Sequence, residues 1–125
     1  MIIGIGTDIV EIARIESLFD KRQQSFAKRI LSVSELKGFA SKQYPQKFLA
    51  KRWAAKEAIA KALGTGFSKG VCFTDMTIEH TKDGQPMIKL SGKTKALADS
   101  KHIKNWSISI SDEKHYAIAF AIAET

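Results

Sequence analysis

The sequence predicts a single α+β domain, residues 1–125, built around a mainly antiparallel sheet, and three observations predict it. Helical periodicity fills the first half of the chain, and strand-like runs fill most of the second. A length of 125 residues suits one core with no separate cofactor module. The chain is 44% apolar and 26% charged, the balance of a folded globular protein rather than a disordered one.

The elements follow in order. Met1 to Thr7 is rich in Ile, contains Gly4-x-Gly6 and reads as a buried strand. A helix is expected next, with Ile12, Ile15, Leu18 and Phe19 as its apolar stripe, fading around Asp20 to Gln24. Phe26 to Leu31 reads as a short helical turn, and Ser32-x-x-Glu35 as a capping box that opens a helix through Phe39. Pro45 introduces the clearest helix, with Phe48, Leu49, Ala55, Ile59, Ala62 and Leu63 on its apolar side and Gly64 as its stop. Beyond Gly70 the pattern changes to strands. Met76 to His80 and Met87 to Leu90 flank Lys82-Asp83-Gly84-Gln85-Pro86 as a hairpin. Thr94 to Lys101 reads as a short helix and Asn105 to Ile110 as an alternating strand. Tyr116 to Ala123, apolar almost throughout, is expected at the centre of the sheet.

Charge narrows the function classes. The chain carries +7, and its distribution is uneven. Between Lys21 and Lys61 eleven basic residues face only Glu35 and Glu57, giving +9, while the remainder is −2. Such a field attracts an anion: nucleic acid, anionic lipid, a polyphosphate or an acidic protein. The bland alternative is a solvated basic face. One cysteine, Cys72, rules out an internal disulfide or a multi-cysteine zinc site and suits a reducing cytoplasm. The N-terminal residues lack a basic leader and meet Asp8 early, so no signal peptide is expected, and no apolar run approaches the ~20 residues of a membrane span.

Several motifs fail on spacing. The third glycine of a dinucleotide fingerprint would fall on Ile9, and the first glycine of a P-loop ending at Gly92-Lys93-Thr94 would fall on Met87. His80, His102 and His115 have no metal-ligand spacing. Two acids remain. Asp8 leaves an apolar strand, but Asp8-Ile9-Val10-Glu11 also fits a capping box at the start of the next helix. Glu57 is the lone acid on a helix bearing Lys47, Lys51, Arg52, Lys56 and Lys61. It lies four residues from Lys61, which fits either an ordinary ion pair or part of a phosphate site closed by Gly64-Thr65-Gly66.

Two blocks resemble the holo-acyl carrier protein synthases, small 4′-phosphopantetheinyl transferases. The first is Gly4-Ile5-Gly6-Thr7-Asp8-Ile9-Val10-Glu11-Ile12 with Arg14-Ile15. The second runs from Phe48-Leu49-Ala50-Lys51-Arg52-Trp53-Ala54-Ala55-Lys56-Glu57-Ala58 to Lys61-Ala62-Leu63-Gly64-Thr65-Gly66, and the likeness extends over essentially the whole chain. The resemblance implies transfer of the phosphopantetheine arm of coenzyme A to a serine of an acidic acyl carrier protein, with release of adenosine 3′,5′-bisphosphate. It puts magnesium on Asp8 and Glu57, a metal preference that suits hard carboxylate oxygens completed by phosphates and water. Glu57 is then the expected base and Lys61 the cation that stabilises the transferring phosphoryl group. Lys61, Gly64, Thr65, Gly66 and Ser107 are expected to hold coenzyme A. Ser107 is included because Ser107-Ile108-Ser109-Ile110-Ser111-Asp112 stands where many relatives begin with histidine. The carrier protein is expected on Arg14, Lys21, Arg22 and Arg29, by contacts that weaken with salt. The resemblance also implies a homotrimer with sites between subunits. A nucleic-acid-binding domain is disfavoured because aromatic residues do not alternate with the basic ones. A non-catalytic module that docks an acidic protein would need neither magnesium nor the glycine-rich loop.

Overall fold

A computed structural model describes residues 1–125. The elements are β1 (Ile2–Glu11), α1 (Ile12–Arg22), α2 (Gln24–Ile30), α3 (Val33–Phe39), α4 (Pro45–Leu63), β2 (Met76–His80), β3 (Pro86–Leu90), α5 (Gly92–Ser100), β4 (Asn105–Asp112) and β5 (Tyr116–Glu124). A 3₁₀ turn at Phe73–Asp75 precedes β2. The expected α+β class holds: β1-β5-β4 form one antiparallel sheet with β5 central, and β2 and β3 form a separate antiparallel hairpin.

The first strand differs most from expectation. It continues four residues past Thr7, paired to β5 as far as Glu11 opposite Tyr116. Asp8 is therefore a strand residue opposite Ala119 and caps nothing, since Glu11 occupies the N-cap position of α1 and makes no side-chain capping bond. The reason is local: β-branched Ile9 and Val10 favour the pleat, and the alternation of Gly6, Asp8 and Val10 on one face has period two, not 3.6. The Ser32–Glu35 capping box forms as expected, as does the left-handed Gly64, at φ 84°, that stops α4. Chain ends of the other elements shift by one or two residues.

The two faces of the sheet have opposite chemistry. Toward α4 the sheet presents Gly4, Gly6, Asp8 and Val10 from β1 and Ala117, Ala119, Ala121 and Ala123 from β5. These small residues let α4, itself lined with Ala54, Ala55, Ala58 and Ala62, lie directly on the strands. The approach is closest at the glycines. A methyl group at Gly6 would stand 2.0 Å from the carbonyl oxygen of Ala58, and one at Gly4 would stand 1.9 Å from that of Ala62. Gly6→Ala is accordingly expected to cost ~1–3 kcal/mol or more by forcing helix and strand apart. Chemical denaturation checks this, and a loss below half a kcal/mol would show that the backbone contact is not rigid. The outer face carries Ile5, Ile9, Tyr116, Ile118 and Phe120, each more than 40% exposed. Thr7 Oγ1, also on that side, donates to the carbonyl of Ala119 at 3.1 Å. No helix is long and apolar enough to cross a membrane.

Candidate functional site

Because β1 and α4 touch through glycine, the side chains that flank the contact meet. Asp8 follows Gly6 on the helix-facing side of the strand, and Lys61 lies beside the Gly6 contact on the helix. Lys61 Nζ donates to Asp8 Oδ1 at 3.2 Å and to the carbonyl of Thr7 at 2.9 Å. So Lys61 pairs with Asp8 across the chain, and the i, i+4 pair with Glu57, one of the two readings of that spacing, does not form. Glu57, one turn before Lys61, is half-buried without an ion-pair partner. Burial, followed by the charge of Asp8, pushes its carboxyl above its ordinary range, while Lys61 and Arg14 pull it back. A carboxylate whose ionisation is opposed by burial and by the charge of Asp8 marks a centre that a cation would relieve. No group of three or more His, Cys, Asp and Glu side chains is placed to hold a metal. A Mg²⁺ ion suits two carboxylates when phosphate and water supply its other oxygens.

Gly64-Thr65-Gly66 follows Lys61 by one turn. Gly66 N–H donates to the carbonyl of Ala60 at 3.2 Å, and Lys101 Nζ donates to that of Leu63 at 2.5 Å, which fixes the loop at the helix end. Ser107 lies elsewhere. It is exposed on the outer face of β4, opposite Ile122, while Asp8 faces α4 from β1 at the other edge of the sheet. One chain alone does not bring Ser107 to the two carboxylates.

Arg14, Lys21, Arg22 and Arg29 are all exposed along α1 and α2, with no carboxylate within 4.0 Å of any. Arg14 links this edge to the carboxylates: it lies 5.8 Å over the ring of Trp53 and contributes to the field at Glu57.

The cations of α4 otherwise divide between Asp112 and Glu35. Lys47 and Lys51 pair with Asp112 at 2.8 and 3.4 Å. Asp112 ends β4 on the helix-facing side, at the edge opposite Asp8. Its carboxyl is held below its ordinary value chiefly by the Lys47 hydrogen bond. Lys56, fully buried, donates to Glu35 Oε1 at 2.5 Å and to the carbonyls of Ile30 and Phe73. Arg52 Nε lies 2.9 Å from Glu35 Oε2, a charge contact whose angle is not that of a hydrogen bond. The same carboxylate accepts from the N–H groups of Ser32 and Ile78. Burial lowers the pKa of both cations and Glu35 opposes it. Sequence reasoning treated Glu35 as a cap only. The signal available was that Arg52 and Lys56, four apart, share one helix face with apolar neighbours.

Between the start of α4, the β2–β3 hairpin and β4 lies a cleft of about 470 Å³, lined by Lys42, Lys47, Lys51, Arg52 and His80 with no acid among its lining residues. Lys42 Nζ sits 4.8 Å over the ring of Phe48 on its wall.

Comparison with known proteins gives a consistent result. The 4′-phosphopantetheinyl transferase superfamily matches residues 4–121. A holo-[acyl-carrier-protein] synthase of Hydrogenovibrio crunogenus is 66% identical over 125 residues, covering 100% of this chain and 98% of that protein. The crystal structure of the holo-[acyl-carrier-protein] synthase of Neisseria meningitidis has a TM-score of 0.95 at 43% identity, with 100% of both chains covered. That of Helicobacter pylori, in complex with coenzyme A, has a TM-score of 0.83 at 37% identity, covering 96% of this chain and 99% of its own.

Proposed function

The chain belongs to the 4′-phosphopantetheinyl transferase superfamily, and from that premise we propose that it transfers phosphopantetheine from coenzyme A to a serine of an apo acyl carrier protein. The observation that carries this reading is the convergence of Asp8, Glu57 and Lys61 where β1 packs on α4. The serine oxygen forms a bond to the phosphorus that bears the pantetheine arm, and the bond from that phosphorus to the bridging oxygen breaks, releasing adenosine 3′,5′-bisphosphate. Glu57 takes the serine proton, directly or through water. Asp8 and Glu57 hold Mg²⁺, which when bound offsets the charge of the pyrophosphate. Lys61, released from Asp8, neutralises charge that grows on the phosphoryl oxygens. Gly64-Thr65-Gly66 offers N–H and hydroxyl donors beside it.

The test is mass gain of a purified apo carrier protein incubated with this protein, coenzyme A and Mg²⁺. A carrier that stays unmodified at enzyme-level protein would defeat the proposal. Within it, Lys61→Ala is expected to lower kcat by ~10²- to 10³-fold, the loss typical of one transition-state donor, with a much smaller change in Mg²⁺ affinity. Equal losses in both would make Lys61 a metal-site prop instead. Carrier docking on Arg14, Lys21, Arg22 and Arg29 predicts a carrier KM that rises steeply between 50 and 300 mM salt, on the order of tenfold. A flat profile would remove the basic edge from the docking surface.

The basic cleft supports a second part of the reading. Coenzyme A carries a 3′-phosphate in addition to its pyrophosphate, and the cleft offers clustered cations for such a group. Cleft and carboxylates lie on opposite edges of one sheet, with an exposed apolar face between them. A closed head-to-tail trimer through that face sets the carboxylates of one chain beside the cleft, and Ser107, of the next. Co-expressing Asp8→Ala chains with Lys47→Glu/Lys51→Glu chains tests this. Composite sites regain activity in mixed assemblies, whereas self-contained sites stay dead in both chains.

A further inference from the structure

His80 ends β2 at the wall of the basic cleft and is exposed to it, and it is the one lining residue whose charge changes near neutral pH. Its electrostatic surroundings come from several elements. Arg52 and Lys51 face it from α4 and Lys42 from the segment before that helix. Asp112 of β4 is engaged by Lys47 and Lys51, and Glu35 by Arg52 in the buried cluster. On its own hairpin, neighbouring Glu79 is paired with Lys89 at 3.3 Å. These three carboxylates are engaged by other cations, and burial together with Arg52, Lys51 and Lys42 holds the pKa of His80 below its ordinary value.

We propose that His80 is an anion ligand that this cleft charges on demand: a proton enters the ring together with a phosphate monoester, and the imidazolium then binds that phosphate. The proposal rests on the reading of the cleft as the site of the 3′-phosphate of coenzyme A. The empty cleft disfavours the proton because the ring is partly buried beside Arg52, Lys51 and Lys42. An incoming phosphomonoester brings ~1.5 to 2 negative charges at neutral pH, reverses the local field and makes the protonated ring the favoured state. Linkage makes the effect reciprocal, so whatever phosphate does for proton affinity, the proton does for phosphate affinity. Product release is coupled in the opposite sense, because a neutral His80 holds adenosine 3′,5′-bisphosphate less tightly.

The sign follows from the free and bound states. Between the pKa of the free ring and that of the bound ring, falling pH strengthens binding, by up to ~tenfold per pH unit for one linked proton. The phosphate of the ligand titrates in the same range, so the readout is the affinity of the natural protein divided by that of His80→Asn, in which the ligand's own titration cancels. Calorimetry with adenosine 3′,5′-bisphosphate is expected to give a ratio near 1 at pH 8, rising to about tenfold at pH 6. Imidazole nitrogen shifts should place the His80 titration higher in the complex than in the free protein. A ratio that is constant with pH, or a ring whose titration ignores the ligand while binding is intact, overturns the proposal alone. Absence of binding, or an affinity unchanged by Lys47→Glu/Lys51→Glu, overturns the cleft as a phosphate site and the proposal with it.

Discussion

Replacing Asp8 or Glu57 by alanine is expected to abolish carrier modification, by at least ~10³-fold in kcat/KM, while leaving the fold intact. Each replacement removes one of the two carboxylates that meet where β1 packs on α4. The loss of several kcal/mol of charge stabilisation at the phosphoryl group accounts for the size of the effect. The two variants should differ in stability. Asp8→Ala leaves Lys61 with only the carbonyl of Thr7 as a partner. Glu57→Ala removes a carboxylate whose ionisation costs more in the folded state than in the unfolded chain, so at neutral pH its metal-free form should melt no lower than the natural protein. The sign is fixed by the raised pKa: ionising Glu57 opposes folding above the ordinary carboxylate range, and the opposition vanishes as pH falls below it. Carrier mass gain and thermal melting with and without Mg²⁺ check both statements. Full transfer by either variant would end the assignment of these residues as metal ligands.

The second large effect lies away from the chemistry. Glu35→Ala should destabilise the protein by ~3–5 kcal/mol, because it strands two buried cations, Arg52 and Lys56, without their only carboxylate. For a chain of this size that corresponds to a fall in Tm on the order of 10 °C. Glu35 also satisfies the N–H groups of Ser32 and Ile78, so the capping box at α3 loses one of its two bonds at the same time. Glu35→Gln separates the contributions in part: it removes the charge and keeps one acceptor oxygen, which serves one of the two N–H groups, since Ser32 and Ile78 donate to different oxygens. A Gln variant as stable as the natural protein would show that hydrogen bonding, not charge, holds the cluster.

Legibility in the sequence followed the range of the interaction. The strand rich in β-branched and small residues, Tyr116–Glu124, announced itself as central because both of its faces needed to be apolar or small. Helix α4 carried its own start and stop in Pro45 and Gly64. Asp8 misled because its spacing to Glu11 satisfies a local helix-capping rule, and the competing demand, nine residue pairings with β5, lies far along the chain. The four-residue spacing of Glu57 and Lys61 leaves an ion pair or a phosphate site open, and the approach of β1 through Gly6, which gives Lys61 to Asp8 instead, is not visible in a sequence. The Glu35 cluster and the His80 cleft stayed hidden for the same reason. Each joins segments whose meeting depends on packing of α4 between α3, the hairpin and β4.

The pairing of β1 with β5 also sets a timetable. Thr7 and Ala119, joined by a side-chain hydrogen bond, stand 112 residues apart in the sequence. Contacts of that separation carry a high loop-closure cost, and during synthesis they wait for almost the whole chain to be made. Asp8 is made early, yet it acquires its final position only when β5 docks beside it. Until then the Ile-rich N-terminal block waits unpaired, and a partly synthesised chain holds all the residues of its carboxylate centre without possessing the centre itself.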